Sequence, residues 1–119
     1  MSLGGQSFPK RARLTRRSEF LNLTREGKKV HTPHFVVITK SNDMGESRLG
    51  LTISAKVGKA VVRNRIKRLV REFFRRHRHE IPSPRDIVVI ARKGAGELSL
   101  DEVAGELRGA LTYQRSRRE

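Results

Sequence analysis

Two periods organise the apolar positions of this chain. In residues 56–79, Val62, Ile66, Leu69, Val70, Phe73 and His77 recur at steps of three and four, with Phe74 at the margin. That spacing predicts a helix burying one face. In residues 48–55, Leu49, Leu51, Ile53 and Ala55 alternate with Arg48, Gly50, Thr52 and Ser54, the period of a strand with one apolar face. Residues 34–40, His-Phe-Val-Val-Ile-Thr-Lys, are β-branched and aromatic and predict another strand. Asn42, Asp43 and Gly45 supply turn chemistry between the two, so residues 48–55 are expected to pair antiparallel with residues 34–40. The run Ile87-Val88-Val89-Ile90-Ala91 has no polar interruption, which predicts a strand covered on both faces. Residues 28–31 are a candidate minor strand.

Two more helices complete the pattern. Thr15 is a candidate N-cap for a helix through about Arg25, closed by Gly27, with Leu14, Phe20, Leu21 and Leu23 as its apolar side. Ser99-Leu100-Asp101-Glu102 is a capping box, opening a helix striped by Leu100, Val103, Ala104, Leu107 and Leu111. Pro82 and Pro84 break the chain before the apolar strand. The order is helix, two or three strands, basic helix, strand, helix: an α+β fold, αβββαβα with the minor strand counted, in which helices lie on a sheet. Residues 1–9 read as a loose leader, 10–115 as one domain, and 116–119 as a basic tail.

Charge changes the picture. The 119 residues carry 27 Lys and Arg against 12 Asp and Glu, a formal net charge of +15. Such an excess opposes compaction and therefore describes partners: a polyanion, nucleic acid before an anionic membrane. No run of 18 apolar residues and no apolar signal stretch is present, so no membrane crossing is expected. The absence of cysteine excludes disulfides, thiolate nucleophiles and Cys-based zinc sites, and fits a reducing cytoplasm.

The excess concentrates on the central helix. At 100° per residue, Asn64, Arg68, Arg71 and Arg75 form a ridge opposite its apolar stripe, with Lys67 and Arg78 beside it; Arg65, Glu72 and Arg76 fall on one flank. Its beginning departs from what stability favours. Gly58, Lys59 and Arg63 stand where the helix dipole is already positive, each misplaced charge costing a few tenths to about 1 kcal/mol. Backbone N–H groups together with added cations make a seat for phosphate. Candidate chemistry is thinner. The acids Glu19, Glu26, Asp43, Glu46, Glu72, Glu80 and Asp86 form no paired-carboxylate signature. His31 with His34, and His77 with His79, lack the framework of a zinc site. Binding features are better. Alternation turns Phe35 and Val37 one way and Val36 and Ile38 the other, so one pair looks away from the core. Phe20 on the first helix and Phe35, Val36 and Ile38 on the first strand, with Arg13 as an accompanying cation, are candidates for the wall of a groove beside the basic helix, suited to single-stranded nucleic acid.

Residues 61–69, Val-Val-Arg-Asn-Arg-Ile-Lys-Arg-Leu, make the sequence specific. They are preceded by Leu-Gly-Leu-Thr-Ile-Ser-Ala-Lys at 49–56 and followed by Ile-Val-Val-Ile-Ala-Arg-Lys-Gly at 87–94. Together they resemble the protein component of bacterial ribonuclease P, over nearly the whole chain from about Lys10 to Arg115. The resemblance implies a mixed four-stranded sheet, similar to a ribosomal-protein domain, with the basic helix as a left-handed β-α-β crossover. Patterning alone would favour the right-handed form. It further implies that the catalyst is an RNA that binds Mg²⁺ and removes the 5′ leader of precursor tRNA. The protein then serves as a cytoplasmic accessory subunit with no metal and no obligatory protein partner of its own. Carried over by position, Arg63, Asn64, Arg65, Lys67 and Arg68 would contact the catalytic RNA, in a basic surface that Lys56, Lys59 and Arg71 extend. Phe20, Val36 and Ile38 would line the leader cleft. Thr24 stands where family members often carry a second aromatic. Composition by itself equally allows a non-catalytic RNA-binding structural protein, such as a ribosomal one.

Overall fold

The uninterrupted apolar run takes the most enclosed position in the molecule. A computed structural model describes residues 17–42, 45–77, 80–81 and 84–117. Its elements are α1 (Arg17–Glu26), β1 (Lys28–His31), β2 (Phe35–Ser41), β3 (Arg48–Thr52), α2 (Ala60–His77), β4 (Arg85–Ala91) and α3 (Leu100–Arg117), with single 3-10 turns at Ala55–Val57 and Ala95–Glu97. The sheet order is β1-β2-β4-β3. Strand β4 pairs antiparallel with β2 and parallel with β3, so the sheet is mixed and α2 is the crossover of a β3-α2-β4 unit. The candidate N-cap Thr15, the cation Arg13, Arg78 and Pro82 lie outside the described residues, as does the leader. Helix α3 runs through Arg117, two residues into the segment read as a tail.

The expected antiparallel pairing of residues 48–55 with β2 is corrected by this order. Ile87, Val88 and Val89 are all buried, and only a central strand hides both of its faces. Strand β4 therefore inserts between β2 and β3. The outer place falls to β3, whose Arg48, Gly50 and Thr52 make its second face the more polar one. The minor strand forms as predicted, pairing Lys28–His31 with β2 at the opposite edge.

Alternation on β2 and β4 then divides the core in two. Phe35, Val37, Leu49, Ile87, Val89 and Ala91 face α2 and α3, meeting Ile66, Val70, Phe73 and Phe74 from the former and Val103, Leu107 and Ala110 from the latter. Phe74 is 2 % exposed, a full core residue rather than a marginal one, because α3 closes over the flank that α2 alone would leave open. His77 half-buries with its ring 4.9 Å from that of Phe73. On the other face the second cluster is small: Leu23, Ile38 and Val88, with Phe20, Val36 and Ile90 partly covered around it.

Local chemistry ties these layers down. Helix α1 closes where predicted, with the Gly27 N–H donating to Leu23 O at 2.7 Å. A Cβ at Gly27 would stand 2.6 Å from Ile38 Cγ2 and 2.7 Å from Leu23 O, so the bare backbone lets the helix end touch β2. The capping box forms reciprocally: Ser99 N–H donates to Glu102 Oε1 at 2.9 Å and Glu102 N–H to Ser99 Oγ at 3.1 Å. Farther along α3, Glu106 accepts from the Thr32 hydroxyl at 2.6 Å and the His34 N–H at 2.9 Å, and His34 Nδ1 lies 2.6 Å from its second oxygen. That carboxylate staples the β1–β2 turn to α3.

Burial pushes the Glu106 carboxyl up, but Thr32 and then His34 outweigh it, and the group titrates below its ordinary value of 4.5. A depressed carboxyl stabilises the fold above its unfolded value and loses that contribution as pH falls through the folded value. Glu106→Gln is expected to cost about 1–3 kcal/mol at neutral pH. Urea unfolding across a pH series should show that gap closing below 4.5. A gap of constant size would remove the carboxylate charge as its source.

Candidate nucleic-acid interface

Helix α2 presents its cations because its apolar stripe is spent on the core. The helix begins at Ala60, after the Ala55–Val57 turn and an extended Gly58, with no acid in its first turn. Asn64, Arg68 and Arg71 are exposed and Lys67 is half-exposed; before them stand the exposed Lys56 and Lys59. Lys56, Lys59, Lys67 and Arg68 make no side-chain hydrogen bond or ion pair among the described residues. Val61 is 80 % exposed beside them, an apolar surface that the pattern did not single out because it lies off the core stripe.

The remaining cations of the helix are engaged, in two different ways. Arg63 Nε donates to Gly58 O at 3.1 Å, and Arg65 Nη1 donates to Leu98 O at 2.9 Å and Gly96 O at 3.2 Å. A guanidinium has five N–H donors, so both keep donors to spare while fastening the start of α2 to its surroundings. The fit there is close: a Cβ on Gly96 would lie 2.4 Å from Val62 Cγ1. At the other end, Glu72 accepts from Arg75 at 2.7 and 3.2 Å and from Arg76 at 2.7 Å. Arg75 is thereby drawn off the predicted ridge, and its hydrogen bond, outweighing the opposing effect of burial and reinforced by that of Arg76, lowers the Glu72 carboxyl. The cationic stripe is richest in unpartnered charge toward the N-terminal half of α2.

Of the predicted groove residues, Phe35 is buried in the core under α2 and α3, while Phe20, Val36 and Ile38 lie on the opposite face of the sheet, not beside the basic helix. Strand pairing sets His31 opposite Val36, Val36 opposite Ile90, and Ile90 opposite Thr52. Directly paired residues share a face, so these four side chains form one row across all four strands. Val36 and Ile90 are half-buried there, while His31 and Thr52 are exposed. Half-buried Phe20 comes down from α1 onto the adjoining cluster. Ile38 departs from expectation: it is 0 % exposed, packed with Leu23, whereas Ile90 on the same face is half-buried. The continuous apolar run hid Ile90, because without alternation no face can be assigned. Thr24, where a second aromatic was looked for, is exposed and donates to Phe20 O at 2.8 Å. Among the described residues no three His, Asp or Glu side chains gather into a metal site, and no helix is long and apolar enough to cross a membrane.

A cationic helix on one side of a mixed α+β sheet, and a part-open apolar row on the other, define an RNA-binding protein. Residues 8–114 match the family Ribonuclease P, and the chain belongs to the family of ribonuclease P protein components, accessory subunits of a ribonucleoprotein enzyme. It is 48 % identical over 104 residues to the ribonuclease P protein component of Desulfovibrio desulfuricans, covering 84 % of this chain and 80 % of that one. Among solved structures it is similar to the RNase P protein of Staphylococcus aureus (TM-score 0.78, 35 % identity, 87 % of this chain and 94 % of that one). It is also similar to that of Thermotoga maritima (TM-score 0.76, 43 % identity, 83 % and 94 %). Membership decides between the two RNA-binding readings in favour of the ribonuclease P subunit over a ribosomal protein.

Cations without a partner should dominate the salt dependence of RNA binding. Arg68→Ala is expected to flatten the slope of log K against log salt by about 0.7–0.9, one phosphate contact. Arg76→Ala should change it by less, since Glu72 already offsets that charge. Equal slopes for both variants would return Arg68 to an ordinary solvated surface.

Proposed function

We propose that this chain holds the catalytic RNA of ribonuclease P on α2 and the single-stranded 5′ leader of precursor tRNA on the opposite sheet face. In this reading Lys56, Lys59, Asn64, Lys67, Arg68 and Arg71 meet the catalytic RNA, with Arg63 and Arg65 contributing the donors that their backbone contacts leave over. The leader passes over Phe20, Val36 and Ile90, its bases against apolar surface, with Arg13 as an accompanying cation. Residues 10–115 act as one RNA-binding unit. Hydrolysis of the leader is the work of the RNA and the Mg²⁺ it carries; the protein side chains bind and orient and move no proton. A cytoplasmic setting suits a tRNA-processing subunit with no cysteine.

The observation that carries this reading is the half-open row on the second face. Val37 and Val89 on the other face are buried, whereas Val36 and Ile90 here are only half-buried. Their exposure next to Phe20, on a protein whose other face bears the cations, gives a bipartite RNA-binder two separate surfaces.

Reconstitution with the matching ribonuclease P RNA should restore precursor-tRNA cleavage at low Mg²⁺, while RNA-free protein cleaves nothing. In the same holoenzyme, Phe20→Ala should weaken binding of precursor tRNA by about 1–3 kcal/mol and leave mature tRNA, which lacks a leader, nearly unaffected. Thermal unfolding recorded alongside separates this from core damage, where a buried Phe→Ala costs about 3–5 kcal/mol. Equal losses for both tRNAs, or a fall in stability of that size, would assign Phe20 to the core and sink the cleft.

A further inference from the structure

Beside Phe20, three side chains of helix α1 at positions i, i+4 and i+7 reach the sheet. Glu19, Leu23 and Glu26 share one helical face. Glu19 Oε2 accepts from Arg48 Nη1 of β3 at 3.0 Å, Leu23 is buried on Ile38 and Val88, and Glu26 Oε1 accepts from Lys40 Nζ of β2 at 2.5 Å. The two ionic ends are unequal. Lys40 and Glu26 are 40 % and 52 % exposed, and an ion pair so open to water fixes little. Arg48 is only 14 % exposed and Glu19 29 %. Arg48 is also held in a fork by Asp86, its Nε donating to Oδ1 at 2.9 Å and its Nη2 to Oδ2 at 2.8 Å. Asn42 Nδ2 donates to the same Asp86 Oδ1 at 2.8 Å. Planar, two-pronged pairing of this kind specifies direction as well as distance.

This network meets α1 one residue before Phe20. Arg48 thus spends its charge on two carboxylates in a chain that otherwise carries a large cationic excess, and its geometry aims the third donor at Glu19. Leu23 fixes the height of the helix over Ile38 and Val88, and the rotation of the helix about that contact sets how close Phe20 stands to Val36 and Ile90.

We propose that Glu19, acting through Arg48 and Asp86, is a positioning residue for leader binding: it sets the rotation of α1 and so the gap between Phe20 and the row of Val36 and Ile90. The inference rests on the leader-cleft reading. It assigns Arg48 away from phosphate binding, although Arg48 lies on the cleft face of β3, and gives the partly buried acid of α1 a role distinct from that of the exposed Glu26.

The test uses holoenzyme reconstituted with ribonuclease P RNA and compares affinity for precursor tRNA with that for mature tRNA. Glu19→Gln keeps shape and removes charge. It should lower the preference for precursor about three- to tenfold, the scale of one charge-assisted contact, with affinity for the catalytic RNA and the unfolding midpoint nearly unchanged. Glu19→Asp, which restores the charge on a shorter arm, should recover part of the preference, and Glu26→Gln should leave it within about twofold, as for an exposed pair. A Glu19→Gln holoenzyme with full preference, while Phe20→Ala loses it, would overturn the positioning role and leave the cleft standing. Equal weakening toward both tRNAs, with no recovery in Glu19→Asp, would reduce Glu19 to a structural residue. Full preference in Phe20→Ala would remove the cleft itself and this inference with it.

Discussion

Everything in this molecule depends on β4 being apolar on both faces. A strand with Ile87, Val88 and Val89 all buried needs a neighbour on each edge and a layer on each side, since either surface left in water would forfeit the burial that stabilises the fold. Strands β2 and β3 supply the edges. Helices α2 and α3 cover one side, and among the described residues α1 covers the other around Leu23, Ile38 and Val88. Among the described residues, the row through Val36 and Ile90 is covered less fully than the face under α2 and α3, and it stays half open.

Electrostatics is arranged with the same economy. The few acids are used locally: Glu72 on Arg75 and Arg76, Asp86 and Glu19 on Arg48, Glu26 on Lys40, Glu106 on the β1–β2 turn. Among the described residues, the N-terminal half of α2 receives none. Its cations repel one another and oppose the helix dipole, a cost that a polyanionic partner relieves. Helix α3 is the internal comparison, because the same chain there places Ser99, Asp101 and Glu102 as the dipole favours. The inverted start of α2 is therefore not a general tolerance of poor capping in this chain.

The local devices were legible in the sequence because each is settled by neighbours a few residues away. The capping box of α3, the glycine stop of α1, the strand of residues 87–91 and the cationic face opposite the stripe of α2 all follow from spacing and residue type. So does the division of β2, where alternation alone sends Phe35 and Val37 against Val36 and Ile38. The motif of residues 61–69 carried the family, and with it the RNA partner.

Tertiary structure decided what depends on pairing between distant segments. Whether residues 48–55 join β2 or β4 is invisible to alternation, which gives a strand its face but not its neighbour; the enclosure required by β4 resolved it. Ile90 and Ile38 are chemically identical, and only register with Val36, and the placement of Leu23 over Ile38, make one accessible and the other core. Phe74 belongs to the core because α3 closes over it. Which arginines of α2 are tethered was likewise beyond the helical wheel, since Arg65 reaches the carbonyls of Gly96 and Leu98 more than 30 residues away. Sequence determined the elements, their faces and their charge, because these are short-range properties of the chain. Structure decided the neighbours, because burial is shared among segments that meet only once the chain has folded.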